Sequence, residues 1–135
     1  MKRKILNPRS IPARGKPYSQ GFVVQARRTL FVAGQVPVNS KGETVGARDI
    51  GKQVAQVFKN IGAVLKEGGG DFSNVVQFMT FLTKGVDLPA FYEARNKAYK
   101  KLYPKADFPP NTLLIIERLA NEEFQVEIQA IAALD

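Results

Sequence analysis

Four polar residues in the C-terminal quarter lie in two consecutive predicted strands and have side chains capable of hydrogen bonding or acid–base chemistry. Asn111 and Thr112 follow Pro109-Pro110 at the start of one predicted strand. Glu127 and Gln129 lie two residues apart in the next predicted strand, and residues two apart in a strand share a face. Glu127 can accept a proton, whereas Gln129 can orient a water molecule without deprotonating it.

Two of these residues, Glu127 and Asn111, also have an alternative, purely structural role. Glu127 can pair with a neighbouring strand or with a lysine of a partner subunit, and Asn111 can satisfy backbone groups at the strand start. The glycines Gly68-Gly69-Gly70 could form a phosphate-binding loop, but no Lys-Ser/Thr follows them, which favours a helix stop.

The chain contains no histidine and no cysteine. This excludes Ser-His-Asp and Cys-His nucleophile systems, a reactive thiolate, disulfides and an ordinary zinc site. Acid–base chemistry must therefore use carboxylates, tyrosine, lysine or water. We expect no metal and no cofactor.

The net charge of +8 over 135 residues is concentrated at the N terminus. Six basic residues and no acidic residue precede residue 17, which leaves 14 basic against 12 acidic side chains in the remainder. We predict one domain over residues 1–135 in which residues 1–16 are an extended basic tail. The tail is either solvated or contacts nucleic-acid phosphate, and the second role is the less favoured.

Composition indicates a folded globular chain, with 44% apolar and 24% charged residues. No apolar run approaches the roughly 18 residues of a membrane span, and no signal-peptide pattern follows the basic N terminus. We therefore expect a cytoplasmic location and no membrane partner.

The first half of the chain predicts two strands and a helix. Strands over Tyr18–Arg27 and Thr29–Ala33 are expected to form a hairpin, and residues 39–42 a turn. Apolar residues at spacings of three and four predict a helix from Ala47 or Asp49 to Glu67, which the glycines at 68–70 end.

The second half predicts a strand over Asp71–Thr83, a helix over Leu88–Tyr103 ended by Pro104, and two C-terminal strands. The predicted order is ββαβαββ, an α+β fold. The second helix is predicted to turn inward its residues Leu88, Phe91, Ala94, Ala98 and Leu102.

Several predicted strands are apolar at consecutive positions, including Leu113–Ile116 and Ala130–Ala133. Side chains alternate faces in a strand, so these runs predict burial of both faces. Two helices cover only one face of the predicted five-stranded sheet. Another copy of the chain is the simplest cover for the other face.

Four stretches in order carry a resemblance to a known family. They are Gly15-Lys16-Pro17-Tyr18-Ser19-Gln20-Gly21, Ala33-Gly34-Gln35-Val36-Pro37, Asn96-Lys97-Ala98-Tyr99, and the final strand pair opening at Phe108-Pro109-Pro110-Asn111. Together they resemble the RidA (YjgF) family, also known as L-PSP endoribonuclease-like proteins. The resemblance runs from about Ile11 to Leu134.

The resemblance implies two helices on one face of a mixed sheet, the chorismate mutase-like fold, and a homotrimer with a central barrel. It further implies small-molecule clefts between subunits and imine deaminase chemistry. The ligand-binding residues it implies are Tyr18, Gly34, Asn96, Asn111 and the adjacent Thr112, with Glu127 and Gln129 as catalytic candidates.

This chain departs from the family at two of those positions. Asn111 stands where the family usually has an arginine that grips a substrate carboxylate, and Gln129 stands where a second glutamate is common. A neutral amide binds an anion more weakly than a guanidinium does. Lys105 is a candidate for a compensating cation.

Three functions follow as hypotheses. We favour a trimer that binds a small polar metabolite without standard deaminase activity. The first alternative is an enamine or imine deaminase with an altered substrate range. The second alternative is RNA binding or ribonuclease activity through the basic tail.

Overall fold

The computed structural model of the chain describes residues 1–12 and 15–135. Its elements, in chain order, are β1 (Lys2–Leu6), β2 (Gly21–Gln25), β3 (Arg28–Gln35), α1 (Ile50–Glu67), a 3₁₀ turn (Phe72–Asn74), β4 (Val75–Thr83), α2 (Leu88–Leu102), β5 (Asn111–Ile116) and β6 (Val126–Leu134). From β2 onward this is the predicted ββαβαββ order, preceded by one further strand.

The main sheet has four strands in the order β3-β6-β4-β5. Strand β6 is antiparallel to both β3 and β4, whereas β4 and β5 are parallel and are connected through α2. Both helices pack on one face of this mixed sheet, so the predicted α+β architecture is confirmed. The predicted fifth strand of the sheet is not part of it.

Helix α1 forms where the apolar spacing predicts it. The Asp49 side chain caps its N terminus by accepting a hydrogen bond from the Lys52 backbone N–H at 3.0 Å. At the other end Gly69 has a φ of 84°, the left-handed conformation that glycine adopts without strain. The glycine run is therefore a helix stop. The inward side of α1 consists of Ile50, Gln53, Val54, Val57, Phe58, Ile61 and Leu65.

Helix α2 buries Phe91 and packs Ala94, Ala98 and Leu102 against the core, as predicted. Its most buried residues also include Arg95 and Tyr99, which the prediction omits, while Leu88 is 36% exposed. The prediction of an inward Leu88 was wrong because Asp87 caps the helix and leaves Leu88 in the exposed first turn. Aromatic rings dominate the core below α2: Phe58, Phe72, Phe78, Tyr99, Tyr103 and Phe108 form consecutive edge and stacked contacts.

The predicted β2–β3 hairpin was wrong. Strand β2 pairs with β1 in a separate two-stranded sheet, with Lys2 opposite Gln25 and Leu6 opposite Gly21. Strand β3 pairs with β6 instead. The strand predicted from Asp71 begins later, at Val75, because Asp71 and Asn74 exchange capping hydrogen bonds around the 3₁₀ turn. Pairing with distant segments thus overrides the local pattern.

The first six residues are extended, as predicted, but they are anchored to the protein. Arg3 forms an ion pair with Asp107, donates to the Ser73 carbonyl at 3.2 Å, and lies over the Phe22 ring at 4.9 Å. One of the six N-terminal basic side chains is thereby used by the fold. Ala13 and Arg14, which belong to the predicted tail, lie outside the described residues.

The sheet face away from the helices carries apolar side chains in the single chain. Phe31 is 73% exposed, and Leu114 is 38% exposed on the same face. Monomeric proteins rarely leave such surface uncovered. Within the described ranges, no helix is long and apolar enough to cross a membrane.

Candidate functional site

Strand register assigns the predicted site residues to two opposite faces of the main sheet. Directly paired residues point to the same face, and Asn111 pairs with Phe78, which is buried beneath the helices. Gln129 pairs with Met79, and Glu127 pairs with Phe81, on the face away from the helices. Asn111 therefore lies on the helix side and both β6 residues lie on the other side.

On the helix side the structure forms a cavity of about 550 Å³, which we call the helix-side cavity. Three predicted ligand-binding residues, Tyr18, Asn96 and Asn111, line it together. Its lining residues are Lys16, Pro17, Tyr18, Tyr92, Arg95, Asn96, Asn111 and Leu113. The N-terminal loop, α2 and the start of β5 thus meet at one place, whereas Gly34, which the resemblance assigns to the same cleft, does not line this cavity.

The amide of Asn111 is oriented by a buried hydroxyl. Thr80, which is 3% exposed, donates a hydrogen bond from Oγ1 to Asn111 Oδ1 at 2.8 Å. Because the amide oxygen is taken, its Nδ2 group is left as a donor. Asn111 therefore offers the cavity a neutral N–H group in a fixed position, not a positive charge.

The lining of the helix-side cavity includes a cationic residue, Arg95, that the sequence motifs do not identify. Arg95 is 7% exposed, and its guanidinium carbon lies 4.8 Å from the ring centroid of Tyr92 and 5.6 Å from that of Tyr99. Its Nη2 donates to Asn96 Oδ1 at 3.2 Å, whereas its Nε is buried without a hydrogen-bond partner. Burial lowers the pKa of the Arg95 guanidinium, and the two tyrosines counteract this in part.

A sequence signal for Arg95 exists in the spacing of α2. Arg95 lies four residues after Phe91 and four before Tyr99, on the stripe that a helix turns inward. A charged residue on that stripe is unusual because lone buried charges are unfavourable. The candidate cation from the sequence, Lys105, is exposed and does not line the helix-side cavity.

A second cavity of about 490 Å³ adjoins the first and shares with it the segment Lys16–Tyr18 and Asn96. Lys100 lines this second cavity. Among the described residues that line the two cavities, three are cationic and none is a carboxylate. The local charge favours an anion and offers no carboxylate base.

On the other face, Gly34 and Glu127 lie together. Gly34 is placed where the β3–β6 register shifts, and a β-carbon on it would collide with the Glu127 carboxylate. Gln129 and Thr112 are exposed on this face, both paired with Met79. We call Gly34, Thr112, Glu127 and Gln129 the sheet-side cluster. The structure therefore places three predicted residues together on one side of the sheet and four on the other side, of which Gly34 and Glu127 are adjacent.

The mixed sheet with two helices on one face, and candidate polar residues on both faces, defines the chain as an α+β protein. The family model described as Endoribonuclease L-PSP matches residues 9–134. The chain belongs to this family, the RidA (YjgF) family.

Individual proteins are similar to this chain over most of its length. The AldR protein of Lactococcus lactis is 37% identical over 124 residues, covering 87% of this chain and 96% of the relative. The 2-iminobutanoate/2-iminopropanoate deaminase of Bos taurus is 32% identical over 130 residues, covering 96% of this chain and 89% of the relative. The Rid-family protein YyfB of Yersinia pestis, of unknown function, superposes with a TM-score of 0.87 at 30% identity, over 99% of this chain and all of that structure.

Proposed function

We propose that this chain assembles as the homotrimer typical of its family and binds a small polar metabolite in clefts between subunits, without standard imine deaminase activity. The single observation that carries the proposal is the composition of the helix-side cavity. It brings Tyr18, Asn96 and Asn111 together, and its described lining holds no carboxylate.

Assembly gives a reason for the division of the site residues between two faces. In the proposed head-to-tail ring, the helix-side cavity of one subunit faces the sheet-side cluster of its neighbour, and such heterologous contacts form a ring when the rotation between subunits closes. The exposed Phe31 and Leu114 on the sheet face supply apolar surface for that contact. Each cleft then contains residues from two chains.

The absence of standard deaminase activity follows from the two substituted positions. Asn111 presents a neutral N–H donor where the family usually has an arginine, and its oxygen is already bonded to Thr80. Gln129 can hold a water molecule but is no base. Binding therefore remains possible while the usual pair of opposite charges is missing.

The second candidate is an imine deaminase with an altered substrate range. Its specific support is Glu127, which lies against Gly34 on the sheet side, together with relatives named 2-iminobutanoate/2-iminopropanoate deaminase. A carboxylate can accept a proton from water, and imines hydrolyse with modest help from orientation. Glu127 is the residue that this candidate requires.

The deciding experiment measures imine hydrolysis by the purified assembled protein, with 2-aminoacrylate generated in the cuvette. We expect the substrate to disappear no faster than in buffer. Sedimentation should show a trimer, and titration with 2-oxobutanoate should shift the NMR signals of Asn111 and Tyr18. The Glu127→Gln variant is the matched control. Acceleration by the wild type that is lost in Glu127→Gln would establish the deaminase instead.

A further inference from the structure

We propose that Arg95 is the anion receptor of the helix-side cavity, and that the ligand is a small carboxylic acid with a second hydrogen-bond acceptor. This inference rests on the proposed metabolite site and names the chemical class of its ligand. The cation comes from α2 and not from the start of β5.

The first support is the incomplete hydrogen bonding of Arg95. A guanidinium has five N–H donors, and its one hydrogen bond within the described residues is the Nη2 contact with Asn96. Its Nε is buried without a partner. Buried donors are normally satisfied in folded proteins, so this N–H group is available to an acceptor in the cavity.

The second support is that no protein carboxylate pairs with Arg95 within the described residues. Five ion pairs are found in the described residues, and none of them includes Arg95. The rings of Tyr92, Tyr99 and Phe91 surround the guanidinium, and aromatic faces stabilise a cation only in part. A buried cation normally has an anion beside it. Lys16, also on the cavity lining, adds a second positive charge.

The third support is the position of the neutral donors. Asn111 lines the same cavity with its oxygen held by Thr80, so its N–H group is available to an acceptor. Tyr18 adds a hydroxyl to the lining. A ligand with a carboxylate for Arg95 and a carbonyl or hydroxyl oxygen for Asn111 uses both kinds of donor. Planar carboxylates match the guanidinium fork, which a lysine cannot reproduce.

The test uses ¹⁵N-labelled full-length protein titrated with 2-oxobutanoate and, separately, with its neutral analogue 2-oxobutanamide. The acid is expected to bind about tenfold or more tightly than the amide, because a charged hydrogen bond replaces a neutral one. In the wild-type protein the Arg95 Nε–H signal is expected to shift on titration with the acid and to become protected from exchange.

Variants assign the effect to the side chain. Arg95→Met is expected to weaken 2-oxobutanoate binding by about ten- to hundredfold and to weaken 2-oxobutanamide binding by a smaller factor. Arg95→Lys should give an intermediate affinity, since it keeps the charge but loses the fork. Lys97→Met, at an exposed lysine on the same helix, is the matched control and should bind both probes like the wild type.

The outcomes separate this inference from the function on which it rests. Equal affinity for acid and amide, or unchanged affinity in Arg95→Met, would overturn Arg95 as receptor and leave the metabolite site intact. If neither probe moves the Asn111 and Tyr18 signals, the proposed site is contradicted as well. Should Arg95→Met not fold, the wild-type Arg95 Nε–H signal decides alone: no change with 2-oxobutanoate overturns the inference.

Discussion

The Glu127 carboxylate occupies the space beside Gly34 in which a β-carbon would have to lie. These two residues come from neighbouring strands β3 and β6, and the missing side chain at Gly34 lets the carboxylate rest against the backbone. Gly34 does not have the positive φ that would itself require glycine. Its role is therefore to make room for Glu127.

Replacing Gly34 with alanine is expected to displace Glu127 at little expense of stability. The colliding atom is the end of a flexible side chain, so we expect Gly34→Ala to change the free energy of unfolding by less than about 1 kcal/mol. Gly70→Ala is the comparison, because its β-carbon would collide with buried Leu134 and should destabilise by about 1–3 kcal/mol. Urea unfolding measures both, and a Gly34→Ala loss as large as that of Gly70→Ala would contradict this reading.

Gln53 is expected to be among the most sensitive polar residues of the core. It is fully buried, donates to the carbonyls of Gly46 and Glu123 at 3.1 and 2.7 Å, and accepts from the Gln125 N–H at 2.8 Å. Gln53→Leu leaves these backbone groups unpaired, so we expect a loss of about 2–5 kcal/mol in unfolding free energy.

The matched control for that change is Gln56→Leu, one turn further along α1. Gln56 is half-buried and makes one side-chain hydrogen bond, to Asn60 at 2.8 Å. Its replacement should reduce the unfolding free energy by no more than about 1 kcal/mol. If both variants lose the same unfolding free energy, the buried hydrogen bonds of Gln53 stabilise the fold no more than the single hydrogen bond of Gln56.

Buried tyrosines are expected to make the protein sensitive to alkali. Burial raises the pKa of Tyr103 and of Tyr99 above the ordinary tyrosine value. A tyrosine whose pKa is raised by folding stabilises the fold fully below the unfolded value, about pH 10, and this stabilisation is lost as the pH rises further. The unfolding free energy should therefore decline above about pH 10.

Tyr103→Phe tests this directly. The Tyr103 hydroxyl is buried without a hydrogen-bond partner, so removing it should leave stability at neutral pH unchanged or raise it by up to about 1 kcal/mol. The alkaline decline should be shallower in the variant, as measured by urea unfolding from pH 8 to about pH 11. Tyr92→Phe, at an exposed tyrosine, controls for loss of a hydroxyl. An unchanged alkaline slope in Tyr103→Phe would refute the assignment.

Restoring the family charges should raise imine hydrolysis. We expect Asn111→Arg combined with Gln129→Glu to accelerate 2-aminoacrylate hydrolysis by about tenfold or more. The arginine would bind the substrate carboxylate, and the glutamate would provide a second base beside Glu127. Asn111→Arg removes the acceptor of buried Thr80, so a loss of about 1–3 kcal/mol in stability is expected as well.

Asn111→Leu combined with Gln129→Glu is the control, because it removes the same hydrogen bond without adding a cation. If the Asn111→Arg/Gln129→Glu variant is trimeric and hydrolyses 2-aminoacrylate no faster than this control, positions 111 and 129 do not correspond to the family's catalytic pair.

The helices and the last strands were predictable because their signals are local. Spacing of three and four defines α1, and Gly68-Gly69-Gly70 marks its end. The partner of β2 was not predictable, since β1 and β3 are both plausible neighbours and the choice depends on contacts such as that of Arg3 with Asp107. A local sequence pattern predicts where strands lie, whereas contacts between distant segments determine which strands pair.

The sequence offers candidate site residues, which stay predictions, but it does not show on which face of the sheet each of them lies. Motifs identified Asn111 and Glu127, yet their opposite faces follow from register with Phe78 and Phe81, which no single segment encodes. Arg95 was missed because a charged side chain on the inward stripe of a helix contradicts the usual pattern. Such a contradiction is itself a signal of function.

The division of the site between two faces of the sheet has a genetic consequence in the proposed trimer. A chain damaged only in its helix-side cavity still supplies a sound sheet-side cluster to its neighbour, and the reverse also holds. In a mixed ring of two such damaged chains, one junction always joins the two intact halves. Two individually inactive alleles, such as one altered at Arg95 and one at Glu127, would then complement each other when co-expressed, with one working cleft in every hybrid.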